Sequence, residues 1–134
     1  ALSPSVNDPT TAMACIDRLV EVLVGGGLAA DPPRGFGDRN GVLRLEVPFP
    51  GFDELVPLAF DQIRHYGAVT PAIAIHLARG LSVLFTTLPE SRHGSLRAQG
   101  SALFEAVMRI ELAGERQRVL AAVQPLLQEM APDR

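Results

Sequence analysis

The sequence contains no lysine, and its positive charge comes from 12 arginine residues. We attribute this choice mainly to genome composition, although guanidinium groups also bind carboxylates and phosphates in a bidentate manner. With 15 acidic residues, the formal net charge is -3. This balance argues against a nucleic-acid-binding protein, which needs a basic surface to contact phosphates.

Cysteine and long hydrophobic runs are also scarce. The single cysteine, Cys15, excludes an internal disulfide, and its apolar neighbours favour a small buried residue. The most apolar stretch, residues 72–88, contains His76 and Arg79 and falls short of the ~20 apolar residues of a bilayer span. The sequence also lacks an initial methionine, so we expect a piece of a longer protein. Its 134 residues fit one domain with a core of its own.

Apolar residues at helical spacing predict five helices over residues 9–24, 52–66, 71–88, 92–112 and 114–130. A cap residue followed by proline, Asp8-Pro9 or Thr70-Pro71, opens the first and third helices. We expect Gly25-Gly26-Gly27 to end the first helix and Ser91 to cap the fourth. The third helix is apolar on most sides and is the predicted central helix, with Gly80 allowing close approach of a neighbour.

The predicted buried faces follow from the same spacing. In chain order, the residues expected to face the core are Ala12, Ile16, Leu19, Leu23, Leu55, Leu58, Ala59, Ile63, Tyr66, Leu96, Leu103, Val107, Ile110, Val119, Val123, Leu126, Leu127 and Met130.

A short β-hairpin is predicted between the first two helices. Asn40-Gly41 is a turn signal ahead of residues 42–47, where Leu43, Leu45 and Val47 alternate with charged residues. A partner strand is expected near residues 34–37. Because a lone hairpin is marginal in water, we expect its apolar face to lie on the helices. The predicted fold is therefore mainly α, an irregular bundle of about five helices with a hairpin at one edge.

Polar residues concentrate before the first helix, in residues 3–11. One interpretation is a helix-capping turn in which Asn7 and Asp8 bond to local backbone. The other is a ligand site at the helix N-terminus, where Asp8 would favour a carbonyl, a hydroxyl-rich group or a cation over phosphate. The candidate ligand-binding residues are Ser3, Asn7, Asp8, Thr10, Thr11, Arg64 and Tyr66.

Arg64 and His65 lie near the end of the second predicted helix, where cations complement the helix dipole. We also consider an ion pair between Arg64 and Asp8 or Asp17, which would hold the opening segment against the second helix. The three histidines have no close ligand spacing, so no metal site is predicted, and His76 is expected to be a hydrogen-bonded core or boundary residue. No nucleophile motif or phosphate-binding glycine loop is present, and we predict neither catalytic residues nor a cofactor.

Several segments carry a family resemblance. Residues 1–4, 7–9, 11–12 and 16–19, followed by 45–48, 59–64 and 66–67, resemble in order the uncharacterised bacterial membrane protein family catalogued as domain of unknown function 2254. The resemblance implies several N-terminal transmembrane helices followed by a soluble C-terminal domain, most of which this chain would form. It implies a place at the cell membrane, on a side that the sequence does not specify, and no activity or cofactor.

Two functional hypotheses follow. The first is a soluble regulatory or interaction domain of a bacterial integral membrane protein. It would transmit a state between its own transmembrane helices, which lie outside this sequence, and a partner, a small ligand or a second copy. The alternative is a small-molecule-binding protein or enzyme that uses Asn7, Asp8 and Thr11 together with Arg64 and Tyr66.

Overall fold

The computed structural model describes residues 8–33, 35–46 and 49–132. These ranges contain five α-helices, as predicted, and one antiparallel hairpin. In chain order the elements are α1 (Pro9–Leu28), β1 (Gly35–Gly37), β2 (Leu43–Glu46), α2 (Phe52–Gly67), α3 (Pro71–Thr87), a 3-10 turn (Glu90–Arg92), α4 (His93–Val107) and α5 (Ala113–Met130).

Helix α3 is the centre of the bundle, as its sequence predicts, and packs against all four other helices. Gly80 lies where α1 crosses α3. A Cβ at this position would be 3.0 Å from Cγ2 of Val20 and 3.4 Å from Cγ2 of Ile16, so the absent side chain allows the close approach of α1. The buried residues of α3 are Ile73, Ala74, Leu77, Ala78, Leu81 and Leu84.

Helix α1 begins where predicted but ends later. The predicted stop at Gly25-Gly26-Gly27 is wrong, because the helix continues through the glycines to Leu28. The reason is tertiary packing: Gly27 is buried where the side chains of Leu88 and Phe52 approach α1. Glycine costs about 1 kcal/mol relative to alanine inside a helix. Here a larger residue would not fit.

The Asp8 cap predicts a measurable contribution to stability. The Asp8 carboxylate accepts a hydrogen bond from the Thr10 backbone N–H at 3.1 Å. Asp8→Ala should therefore lower the free energy of unfolding by about 1 kcal/mol, and Asp8→Asn should retain most of it. Thr70→Ala is the matched control, since Thr70 precedes α3 without a side-chain capping bond. Urea denaturation checks the series, and equal losses for Asp8→Ala and Thr70→Ala would contradict it.

Other local predictions need correction. Leu58 is 73% exposed and Tyr66 is also exposed, whereas Val56 and Phe60 are buried, so the predicted face of α2 is rotated. Ser91 lies in the 3-10 turn and does not cap α4, which starts at His93 and ends at Val107. Cys15 is exposed, not buried, since its side chain lies beside the buried stripe of α1.

The hairpin forms in nearly the predicted position but does not bury its apolar face. Leu45 lies opposite Phe36 and Leu43 lies opposite Gly37, so Arg44 is an extra residue in β2 that has no partner in β1. All seven residues of the two strands are exposed, so the expectation that Leu43 and Leu45 pack on the helices is wrong. Residues 34 and 47, also expected in the hairpin, lie outside the described residues.

Polar contacts in the turn hold the hairpin instead. The Asp38 carboxylate accepts hydrogen bonds from the backbone N–H groups of Val42 at 3.0 Å and Asn40 at 2.9 Å. Its second oxygen accepts from Nε of Arg44 at 2.9 Å. Gly41 adopts φ +77°, a conformation that glycine reaches without strain.

The stabilisation that Asp38 gives to this turn depends on pH. The backbone hydrogen bond from Val42, and after it the Arg44 guanidinium, hold the pKa of Asp38 below its ordinary value of 3.8. The stabilisation from Asp38 is therefore complete above the unfolded pKa and is lost as pH falls through the lower folded value. An NMR titration of the Asp38 carboxyl should show the lowered pKa, and Arg44→Met should raise it toward 3.8. An unchanged midpoint in the variant would contradict the ion pair.

Candidate functional site

The segment before α1 was the first candidate site, and the structure describes only its end. Ser3 and Asn7 lie outside the described residues. Asp8 accepts hydrogen bonds from the Thr10 backbone N–H and, at 2.8 Å, from the Thr11 hydroxyl. Both of these contacts lie within the first turn of α1. A ligand-binding role for these residues stays a prediction.

Arg64, the candidate on α2, has different partners from those expected. Its Nη2 atom lies 3.3 Å from Oδ1 of Asp61, and its Nη1 atom donates to Gln99 at 3.4 Å. Asp17 contacts His76 instead. The pairing of Arg64 with Asp8 or Asp17 is thus wrong.

Tyr66 is half-exposed at the end of α2, and its ring meets the ring of His65 edge-on at a centroid distance of 4.7 Å. Among the described residues, no hydrogen bond or ion pair joins Tyr66 or Arg64 to the polar residues at the start of α1. The polar residues at the start of α1 and those at the end of α2 therefore do not form a shared network of contacts among the described residues.

Gln99 completes a polar cluster with Asp61 and Arg64 that the sequence analysis missed. Gln99 is only 6% exposed, and its side-chain amide donates to Oδ1 of Asp61 at 2.7 Å. Because the Arg64 guanidinium contacts both partners, the cluster joins α2 to α4 through compensated polar groups. A signal was present: Gln99 lies between Leu96 and Leu103, on the inward side of the predicted fourth helix.

A cavity of about 190 Å³ adjoins this cluster. Its wall combines arginine and glutamate side chains with alanine and valine. Such a mixture can accommodate a small polar group, but the guanidinium of Arg64 is already engaged by Asp61 and Gln99. The residues that line the cavity are Arg64, His65, Ala68, Val69, Ala102, Glu105, Ala106 and Arg109.

Arg92 forms a second polar cluster at the other end of α2. Its guanidinium donates to the carbonyl oxygens of Gly27 at 3.2 Å and Ala29 at 2.9 Å, and contacts Asp31 at 3.0 Å. Asp31 in turn accepts from the Phe52 backbone N–H at 3.1 Å. The cation also lies over the Phe52 ring, 5.2 Å from its centroid. These contacts fasten the end of α1 and the start of α2 to the 3-10 turn.

The histidines have separate environments. His76 is a boundary residue, as expected, with Nε2 2.6 Å from Oδ1 of Asp17 on the neighbouring helix. His93 stacks on Phe85, and its Nε2 lies 2.9 Å and 3.0 Å from the carbonyl oxygens of Phe85 and Leu88. Within the described ranges, no group of three histidine, cysteine or acidic side chains has a geometry suited to a metal ion.

Exposed apolar side chains concentrate around the hairpin. Leu43 is 59% exposed and Leu45 is 56% exposed, although both occupy alternate positions that would normally face a core. The turn contacts of Asp38 hold the hairpin in shape without that burial. The large apolar residues exposed in this region are Phe36, Val42, Leu43, Leu45 and Phe49.

Comparison with known proteins identifies a matching family and several relatives of the chain. Residues 1–82 match the family described as "Predicted membrane protein (DUF2254)". Uncharacterised proteins from Mycobacterium bovis (strain ATCC BAA-935 / AF2122/97) and from Mycobacterium tuberculosis (strains CDC 1551 / Oshkosh and ATCC 25618 / H37Rv) are each 32% identical over 123 residues, or 90% of the chain.

The chain spans 23% of the length of these relatives. No solved structure matches it. Among the described residues, none of the helices has the length and apolar character needed to cross a membrane.

Proposed function

The chain belongs to the DUF2254 family of predicted membrane proteins, and we propose that it forms an extramembrane regulatory or interaction domain of such a protein. The observation that carries this proposal is the family match to a segment whose helices all have charged, exposed faces. Lipid is a costly environment for such faces, whereas water solvates them. Exposed charged residues on the five helices include Arg18, Glu21, Asp53, Arg79, Glu105 and Arg118.

The distribution of polar and apolar groups supports an interaction role. The most buried polar group, Gln99, is engaged by Asp61 and Arg64 within the fold. Apolar side chains, in contrast, are left exposed on a hairpin held by its own turn. Exposed apolar groups that cluster on one structured element are typical of an interaction surface. The proposed partners are the transmembrane helices of the same protein, outside this sequence, and a further molecule that binds the domain.

The proposal is tested on the full-length protein that contains this sequence. We expect that protein in the membrane fraction after alkaline carbonate washing. Limited proteolysis of sealed vesicles of opposite orientation should release a fragment containing residues 9–132 from one orientation only, which assigns the side of the membrane. A soluble cytosolic protein expressed with the same tag is the control.

Two results would contradict the proposal. A full-length protein that leaves the membrane on carbonate washing would remove the integral membrane assignment. A segment that stays protected from protease in both vesicle orientations, while a tag placed in another loop is cleaved, would remove the extramembrane placement.

A further inference from the structure

A second cavity lies where the end of α3, the 3-10 turn, the start of α4 and the end of α5 meet. Its volume is about 440 Å³, larger than that of the cavity beside Arg64. Small-molecule sites typically have volumes of about 300–1,000 Å³. Phe85 gives the cavity an aromatic wall. The charged residues that line it are Glu90, Arg97 and Glu129.

Arg97 is anchored through one nitrogen and keeps two donor groups for a ligand. Its Nε donates to the Met130 carbonyl at 2.7 Å, and the guanidinium carbon lies 5.5 Å from the centroid of the Phe85 ring. Among the described residues, neither Nη1 nor Nη2 has a hydrogen bond or an ion pair. The parallel N–H groups of a guanidinium match the two oxygens of a carboxylate. Because Arg97 is already held in place, it loses little conformational freedom on binding such a group.

His93 fixes the aromatic wall of this cavity. Its ring stacks on Phe85 at a centroid distance of 3.8 Å. Its Nε2 lies 2.9 Å and 3.0 Å from the carbonyl oxygens of Phe85 and Leu88. Since carbonyl oxygens can only accept, Nε2 carries a proton and donates to both. The Phe85 ring therefore packs against a hydrogen-bonded neighbour and presents a fixed apolar surface.

The two carboxylates of the cavity are not neutralised by Arg97. Glu129 accepts from the Ser82 hydroxyl at 3.0 Å through Oε2, and its other oxygen has no partner in the part of the chain that the structure describes. Glu90 is exposed and has no side-chain partner there either. Neither glutamate pairs with Arg97, so opposite charges line one cavity without meeting. A ligand that carries both charges can bridge them.

We propose that this cavity binds a small zwitterion of the amino-acid type. The ligand carboxylate accepts from Nη1 and Nη2 of Arg97, and the ligand ammonium group donates to Glu129 and Glu90. An apolar side chain on the ligand packs against Phe85. Because the charged groups come from the 3-10 turn, α4 and α5, the bound ligand holds these three elements together. Its binding therefore stabilises the folded domain.

Three probes of matched length test the two charges separately. L-Norleucine carries both groups, hexanoate lacks the ammonium group and pentylamine lacks the carboxylate. NMR titration of the 134-residue chain with each probe, up to about 50 mM, follows the amide signals of Phe85, His93 and Ala131. We expect norleucine to bind at least about tenfold more tightly than either analogue, because each analogue leaves a charged group of the cavity without its partner. No shift of these signals with norleucine, or equal binding of norleucine and either analogue, would overturn the proposal.

Glutamine substitutions test the site of the ammonium group. E90Q/E129Q removes both negative charges and retains an acceptor for the Ser82 hydroxyl. Norleucine should bind this variant at least about tenfold more weakly, whereas hexanoate should bind no less tightly. E105Q/E111Q is the matched control, since both residues are exposed, lie outside this cavity and undergo the same change in charge. Equal effects of the two double variants on norleucine would overturn the ammonium site.

R97K tests the site of the carboxylate and retains the positive charge. A single ammonium group cannot serve both the Met130 carbonyl and the two oxygens of a carboxylate. We expect about tenfold weaker binding of norleucine and hexanoate, with the affinity for pentylamine unchanged. The amide signals of α5 check that the fold is retained. R118K, at an exposed arginine of α5, is the matched control. Unchanged binding of norleucine to R97K would overturn the carboxylate site.

The ligand is a candidate for the further molecule that binds the proposed domain, and the site rests on that proposal only for its cellular setting. A chain that binds none of the probes would overturn the site and leave the membrane placement standing. A chain that binds norleucine, while the full-length protein is absent from membranes, would do the reverse.

Discussion

Gly27→Ala is expected to destabilise the protein, although alanine is the better helix former. The added Cβ would lie 2.6 Å and 2.7 Å from the two Cδ atoms of Leu88 and 3.0 Å from Cε2 of Phe52. Both neighbours are buried, so neither can move aside into solvent. Overpacking of this kind costs about 1–3 kcal/mol, and higher helix propensity offsets up to about 1 kcal/mol. We expect a net loss of about 1–2 kcal/mol in the free energy of unfolding.

Gly26→Ala is the matched control for this substitution. Gly26 lies in the same helix, and a Cβ there would meet nothing within 4 Å. Only the higher helix propensity of alanine then acts, and we expect the free energy of unfolding to rise by up to about 1 kcal/mol. Urea unfolding of both variants measures the difference. Similar stabilities for the two variants would show that the side chains of Leu88 and Phe52 do not pack tightly against Gly27 in solution.

Arg92→Met is expected to produce the second large loss. Methionine retains much of the apolar stem but removes the donors to the carbonyl oxygens of Gly27 and Ala29 and the contact with Asp31. The arginine side chain is only 14% exposed, so water replaces these contacts incompletely. Hydrogen bonds to a charged group contribute about 1.5–3 kcal/mol, and we expect a loss of about 2–3 kcal/mol.

Arg18→Met provides the comparison at an exposed site. Arg18 pairs with Glu21 at 3.1 Å on the surface of α1, where solvent screens the interaction. Its loss should change the free energy of unfolding by less than about 0.5 kcal/mol. Hydrogen exchange should further show faster opening at the end of α1 in Arg92→Met alone. Equal effects of the two substitutions would mean that Arg92 does not hold the junction of α1 and α2.

Much of the fold could be predicted from local signals. Asp8-Pro9 and Thr70-Pro71 mark the starts of α1 and α3, and Asn40-Gly41 marks the hairpin turn. The buried residues of α4 also follow the predicted spacing. The candidate site was less predictable, because Arg64 finds its partners on α2 and on the distant Gln99, which no local rule selects.

The errors share a physical cause. The three glycines after Val24 carry a strong local signal to end a helix, but the packing of Leu88 and Phe52 around Gly27 overrides it. On α2, the side chains of Phe52, Val56 and Phe60 recur every four residues and face the core. The predicted face of α2 lies beside this stripe and is also apolar, so the local pattern cannot decide which of the two is buried.

The sequence by itself determined the mainly α class, the number of helices, the hairpin and the family, because capping, turn and periodicity signals are short-range. Tertiary structure decided where α1 ends, which face of α2 is buried, that Arg64 and Gln99 meet, and that the leucines of β2 are left exposed. These outcomes depend on contacts between residues far apart in the chain, such as the 65 positions between Gly27 and Arg92. Burial and charge compensation across such distances are properties of the assembled bundle.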